Sequence, residues 1–340
     1  MKSKKGRFSV KIVLDAMGGD KAPNAAVEAA ILASQIEGVE ILLVGKEDEI
    51  KPLLGDNTKI ELINATDKVE MDDDPSTVLR DKKDSSMAVG LRLLRDEKAD
   101  AMVSAGSTGA LLSGATLIAK RIRGIRRAAL APVLPNFGRG TVLIDCGANV
   151  ECTPEYLLQF SYMGSFYSER FLGIEKPRVG LLSNGTEESK GASLQKETYA
   201  LLKTAGENGR INFIGNVEGS DVFSGNVDVV VTDGFTGNIL LKTCEGLAEF
   251  IFGNLKLSFK KNFKTMISAL LIKKDLKEMA SKLDSNSVGG TPLLGLSKPV
   301  IKAHGSPNAE ALLNAVKQAK SVYESRIIEE IESNIELMRL

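Results

Sequence analysis

KIVLDAMGGD, from Lys11 to Asp20, sets an apolar, β-branched run against a glycine-rich turn, DAMGGD (Asp15–Asp20), and a helical pattern beginning at Asn24 follows it. A strand covered on both faces reads this way, as continuous Ile, Val and Leu rather than an alternation. Where it ends in a Gly-rich turn that opens a helix, free backbone N–H groups point outward and can hold an anion. The same order recurs at SAGSTG (Ser104–Gly109), SNGTEESKG (Ser183–Gly191) and TDGFTGN (Thr232–Asn238). Four such turns on one sheet edge indicate an enzyme that handles phosphate rather than a passive binding module.

Working outward from Lys11, strand and helix alternate. The pattern predicts strands at Ser9–Leu14, Glu40–Val44 and Ile60–Asn64 and helices at Asn24–Ile36, Asp48–Leu54 and Ser86–Glu97. The runs EILLVG, AMVSAG, TVLIDC, RVGLLSN and VDVVVTD suit parallel strands with helices on both faces, an α/β class. Further helices are predicted at Pro154–Phe171, Ser193–Ala205, Gly237–Phe252 and Asn308–Ile331. Between Leu255 and Lys282 basic residues surround a short apolar block, which reads as an appended helical excursion.

With 340 residues and 43% hydrophobic content the chain can bury a large core, as one α/β domain or as two smaller lobes. Lys plus Arg equals Asp plus Glu at 44 each, so no global field marks a nucleic-acid binder and any charged partner must be met by a local patch. Cys146, Cys152 and Cys244 form no C-x-x-C pair, and His304 is the single histidine, so neither a zinc site nor any other metal is expected. The cysteines read as reduced thiols of a cytoplasmic protein. The N-terminal apolar stretch is interrupted by Asp15 and lacks a secretory pattern. Ala101–Ala119 is uncharged but too rich in Ser, Thr and Gly for a membrane span.

The dinucleotide fingerprint G-x-G-x-x-G and the Walker A pattern are both absent, which removes the best sequence support for nucleotide binding. What remains are backbone donors and hydroxyls, with Lys190 closing one turn and Asn238 another. Such groups can hold inorganic phosphate and stabilise charge on an acyl oxygen, or the glycines merely permit tight turns. Asp15 and Asp20 flank the first turn; one of them orients a lysine or a backbone turn, or Asp20 caps the following helix. Asp233 carries the same pair of readings. His304 precedes a helix whose predicted N-cap is Ser306, with Pro307 at the first helical position, and is either structural or a titrating group. No G-x-S-x-G elbow supports a Ser–His–Asp triad.

Two basic patches stand out. Arg121, Arg123, Arg126 and Arg127 lie in AKRIRGIRR, with no acidic residue nearby. The second patch spans Lys256–Lys282 around TMISALLI, with Met266, Ile267, Leu270 and Leu271 as its apolar block. It is either a helical hairpin buried at a subunit contact or an interfacial membrane segment.

Taken in order, DAMGGDKAPN, VSAGSTGALL, IDCGAN, GLLSNGTEESKG, VVVTDGFTGN and AHGSPNA closely resemble the bacterial phosphate acyltransferases that use acyl carrier protein thioesters, from about Val10 to Tyr323. The basic extension before Phe8 is peculiar to this chain, and Pro307 stands where a second serine is expected. The resemblance implies a Rossmann-like three-layer α/β/α fold similar to isopropylmalate dehydrogenases and phosphate acetyltransferases, with one catalytic domain over 8–330 and the excursion at 255–282 within it. It implies transfer of a fatty acyl group from acyl carrier protein to inorganic phosphate, giving acyl phosphate for phospholipid synthesis, without metal, nucleotide or other cofactor. Homodimer formation, peripheral association with the inner face of the cell membrane and a downstream glycerol-3-phosphate acyltransferase follow from the same likeness. Lys190, Asn238 and His304 are then the catalytic candidates. Asp15, Gly18, Gly19, Asp20, Ser107, Thr108, Gly109, Asn184, Gly185, Asp233, Gly234, Thr236 and Gly237 form the substrate cup. The four arginines dock the carrier, and the block at Met266–Leu271 meets the membrane. The alternatives are a phosphotransacylase acting on acyl-coenzyme A, a dehydrogenase of the related fold, and a non-catalytic membrane scaffold.

Overall fold

Strands form where the apolar runs end in glycine turns, because Ile, Val and Leu on both faces of a strand demand cover from helices on both sides. The computed structural model describes residues 9–55, 57–283 and 289–338. The basic extension before Phe8, Phe8 itself and the side chain of Lys282 lie outside the described residues.

The strands are β1 (Val10–Asp15), β2 (Val39–Gly45), β3 (Ile60–Asn64), β4 (Ala101–Ser104), β5 (Ala129–Leu130), β6 (Val133–Leu134), β7 (Thr141–Ile144), β8 (Arg178–Leu182), β9 (Asn212–Val217), β10 (Val229–Val231), β11 (Thr291–Leu294) and β12 (Val300–Lys302). Among the described residues they make two sheets, of order β3-β2-β1-β4-β12-β11-β5 and β6-β7-β10-β8-β9. The helices used below are α1 (Asn24–Ala33), α2 (Glu47–Leu54), α3 (Val78–Asp81), α4 (Ser86–Arg95), α5 (Thr108–Gly114), α6 (Pro154–Leu172), α7 (Ser193–Glu207), α8 (Gly234–Phe259), α9 (Phe263–Leu271) and α10 (Lys273–Leu283). Together they give the three-layer α/β fold expected, and both buried apolar clusters draw residues from both sheets.

The sheets are mixed, not purely parallel. The pairs β11–β12, β11–β5 and β6–β7 are antiparallel, while β1, β2, β3, β4 and β12 run parallel, as do β7, β8, β9 and β10. The antiparallel strands are two to four residues long, too short for a periodic signal, so the pattern of apolar runs did not register them. The predicted helix Asn308–Ile331 is two helices, Ala309–Glu324 and Ile327–Ser333, because Arg326 adopts a left-handed backbone at φ 55°. Its N-cap is Asn308, whose side chain accepts from Ala311 N at 2.8 Å, and not Ser306. The helix placed at Gly237–Phe252 extends over Gly234–Phe259, and its far end joins α9 and α10 in the excursion.

Candidate active site

Asp15, Ser104 and Lys302 are the last residues of β1, β4 and β12, three neighbouring parallel strands. Leu14 pairs with Val103 and Lys302 with Ser104, so the three side chains stand in one cross-strand row. Ser104 Oγ donates to the Asp15 carboxylate at 2.7 Å, and Met17 N donates to it at 3.2 Å. Burial raises the Asp15 pKa, against the lowering effect of bonds from Ser86, Ser104 and the backbone of Met17 and Gly18.

The turns beyond this row press against each other. A Cβ on Gly18 would stand 2.7 Å from Gly106 N, and one on Gly19, at φ +90°, would stand 2.9 Å from Gly305 O. Asp20 N donates to Gly305 O at 3.0 Å while its side chain is exposed. The N-cap position of α1 is Pro23, so the capping role considered for Asp20 is not what the structure shows. Gly18 and Gly19 thus serve a close backbone approach that any side chain would block.

The second sheet has its own carboxylate hub. Asp145, directly after β7, accepts from Leu130 N (2.9 Å), Cys146 N (2.6 Å), Ala148 N (3.2 Å) and Asn149 N and Nδ2 (2.6 and 2.9 Å). Burial still raises its pKa, since desolvation outweighs these bonds. The start of α8 packs onto this turn: a Cβ on Gly237 would lie 2.0 Å from Asp145 O, and one on Gly234 2.6 Å from Asn149 O. Asp233 caps α8, accepting from Thr236 N and Thr236 Oγ1, both at 2.8 Å. Four residues of TDGFTGN are therefore engaged in starting and seating the helix. Asn238 is left solvent-facing, beside Gly147.

Between the two sets of strand ends lies a cavity of about 430 Å³. Its lining combines the polar residues Thr108, Asn238, Lys242, Glu245, Lys302 and His304 with an apolar stretch from Leu130, Pro132, Val133, Leu134 and Pro135. Of the expected cup residues Thr108 reaches this lining, and of the catalytic candidates Asn238 and His304 do. Asp15, Gly18 and Gly19 stand behind it in the strand-end row and its turns. Ser107 is buried at the start of α5, and a Cβ on Gly109 would meet Pro75 at 2.8 Å. The turn after β8 folds on itself: Asn184 Oδ1 accepts from Gly191 N at 2.9 Å, and a Cβ on Gly185 would lie 2.9 Å from the Lys190 stem. Lys190 is exposed, its amine 4.0 Å from Glu187, and it is not part of the cavity lining.

Lys302 was not foreseen, although the sequence carried a signal. PVIK directly before AHGSPN repeats the strand-then-turn order of the first motif, which makes Lys302 a strand-terminal residue in the position of Asp15. Burial pulls its amine down to about 8, helped by Lys242 and opposed by Asp15. The cysteine thiols go the other way: burial pushes Cys146 well above its usual range and Cys152 up to about 12. Neither is disposed to act as a thiolate nucleophile near neutral pH. His304 Nδ1 accepts from Ser306 N at 3.3 Å. Among the described residues no group of three or more His, Cys, Asp or Glu is arranged to hold a metal.

Arg123, Arg126 and Arg127 are exposed and Arg121 is half-buried, with Arg127 stacked on Tyr156 at 5.6 Å. The excursion exposes Met266, Ile267, Leu270 and Leu271 and holds an apolar groove of about 480 Å³ between α8, α9 and α10. Among the described residues no helix is long and apolar enough to cross a membrane.

Comparison with known proteins gives a consistent result. A family model described as fatty acid synthesis protein matches residues 10–330. A phosphate acyltransferase of Caldanaerobacter subterraneus subsp. tengcongensis is 46% identical over 329 residues, covering 96% of this chain and 98% of that one. A phosphate acyltransferase of Oceanobacillus iheyensis is 45% identical over 328 residues, covering 96% and 98%. Among solved structures, a phosphotransacetylase from Streptococcus pyogenes superposes with a TM-score of 0.61 at 20% identity, covering 94% of each chain, a likeness of fold.

Proposed function

The chain belongs to the fatty acid synthesis protein family and is a phosphate acyltransferase, and on that premise we propose that its acyl donor is an acyl carrier protein thioester and its product an acyl phosphate. The observation that carries this reading is the mixed lining of the cavity. Its wall at Leu130–Pro135 offers an apolar surface to an acyl chain, while Asn238, Lys242 and His304 offer polar groups to a reacting carbonyl and an anion. Inorganic phosphate is already anionic near neutral pH, with a substantial share of the dianion, although it holds its second proton more tightly than phosphate monoesters, whose second pKa is about 6. Attack on a thioester therefore needs positioning and charge stabilisation more than a strong base.

In this reading Asn238 orients the acyl carbonyl, and the packed turns behind the cavity hold its wall rigid. Lys190 exchanges its solvated contact with Glu187 for the anionic part of the donor, which costs little because exposed ion pairs contribute roughly 0–1 kcal/mol. The arginine loop runs straight into the apolar wall, Arg127 to Leu130 spanning no more than about 11 Å of chain. An acidic carrier bound there would deliver its thioester beside the cavity, with AKRIRGIRR supplying the complementary charge. The exposed apolar block and lysines of the excursion support a reversible contact with an anionic membrane surface, where a downstream glycerol-3-phosphate acyltransferase would take up the product. A homodimer would present two such contacts to one surface.

The test presents long-chain acyl carrier thioester and acyl-coenzyme A side by side, with phosphate. Carrier thioester should be consumed at the lower concentration and with the higher kcat/KM. Preference for the coenzyme A ester would reassign the donor.

A further inference from the structure

Lys302 occupies a position that the acyl-transfer reading leaves without a task. It ends β12, stands in register with Ser104, and lines the same cavity as Asn238. Its amine donates to the main-chain carbonyls of Ala303 and Ala105, the latter at 3.5 Å. A lysine held by carbonyls keeps its place as ammonium or as free amine, since both forms have N–H groups to give. The second cavity lysine is different: Lys242 is paired with Glu245 at 2.7 Å. Asp15 from β1, Lys242 and Glu245 from α8, Cys146 from the turn after β7 and His304 from the adjoining loop are the titratable groups around this region among the described residues.

The reaction needs a proton to move. When HPO4 2− attacks the thioester, a phosphate oxygen forms a bond to the carbonyl carbon, the C–S bond breaks, and its electron pair leaves on sulfur. The product acyl phosphate sheds the P–OH proton, and the free thiol must gain one. One proton thus passes from phosphate to sulfur with no further reactant.

We propose that Lys302 carries this proton, its ammonium protonating the departing carrier thiol and its amine then recovering a proton from the P–OH of the new acyl phosphate. This rests on the acyl-transfer reading above. An amine poised near 8 is matched to a thiol of pKa about 8.5, the condition under which a general acid works best near neutral pH. His304, exposed and with Nδ1 turned to its own backbone, is the competing donor.

The experiment uses the full chain and two variants, Lys302→Arg, which keeps the charge but does not release its proton, and Lys302→Met, which has neither. Phosphate-dependent thiol release is followed against pH for acyl carrier thioester and for an acyl ester of an acidic aryl thiol, whose thiolate leaves without a proton. In the wild type the rate with carrier thioester should fall as pH rises through about 8, as the ammonium is lost. Lys302→Arg should keep the phosphate KM, lose that alkaline limb and lose about a hundredfold in kcat with carrier thioester. Both variants should recover most of the loss on the aryl ester. The ratio of the two donors within one variant does not depend on how much protein is folded, so a folding defect cannot imitate the result. Equal losses on both esters, or Lys302→Arg with full turnover and an unchanged alkaline limb, would overturn the proposal. Absence of phosphate-dependent thiol release in the wild type would instead remove the acyl-transfer reading itself.

Discussion

Asn238 is the one residue of TDGFTGN that the structure leaves facing the cavity, while Asp233, Gly234, Thr236 and Gly237 cap and seat α8. If it orients the acyl carbonyl, Asn238→Ala should cost about 2.7–4 kcal/mol of transition-state stabilisation, a loss of hundredfold or more in kcat. Near-normal kcat would take Asn238 out of the mechanism. Asp15 gives a second residue-scale prediction. Its folded-state pKa is raised above the ordinary 3.8 by burial, so the folded protein holds that proton more tightly than the unfolded chain. Its contribution to stability therefore falls as pH rises above 3.8, and Asp15→Asn, which does not titrate, lacks that decline. Denaturant unfolding of both proteins at acid and neutral pH should show the variant gaining on the wild type as pH rises. A difference independent of pH would contradict the raised pKa. Motif glycines and aspartates were legible as turn formers, but not which of them faces a ligand. That depends on the close approach of separate turns, such as Gly18 to Gly106 and Gly237 to Asp145, which no local pattern encodes.

Long, strongly apolar elements were legible in the sequence, with helix ends shifted by a few residues. The short strands Ala129–Leu130 and Val133–Leu134 were not, because their pairing is decided by tertiary neighbours rather than by period, and Val300–Lys302 left only the strand-then-turn order of PVIK before AHGSPN as its signal. Two of these three supply the cavity's apolar wall, and the third supplies Lys302. The excursion makes a prediction at this scale. Its block Met266–Leu271 is far below the ~20 residues needed to span a bilayer, while each nearby lysine adds about 1 kcal/mol at an anionic surface. Leu270 and Leu271 are 70% and 79% exposed, so replacing both with Glu should cost the fold little. The double variant should no longer sediment with anionic liposomes yet turn over soluble carrier thioester normally. Undiminished sedimentation would exclude α9 as the contact, and loss of a dimer would make the same face a subunit interface.

At the scale of the whole molecule, a chain with no net charge presents a basic loop that leads into the cavity wall. Reversing Arg126 and Arg127 to Glu should raise the KM for carrier thioester several-fold, most at low salt, and leave phosphate saturation unchanged, because a docking patch acts mainly through a screened association rate. Equal effects on both substrates would indicate damage to the site instead. The two sheets, each ending in a buried aspartate that organises its turns, give the cavity rigid walls on both sides, and the account stands on what that cavity does. Its most direct test is to incubate the protein with long-chain acyl carrier thioester and phosphate, trap the product with hydroxylamine, and count hydroxamate against released carrier thiol. The predicted result is hydroxamate and thiol in equal amounts, both strictly dependent on phosphate. Thiol release that is indifferent to phosphate, or that yields free fatty acid in place of hydroxamate, would contradict the account.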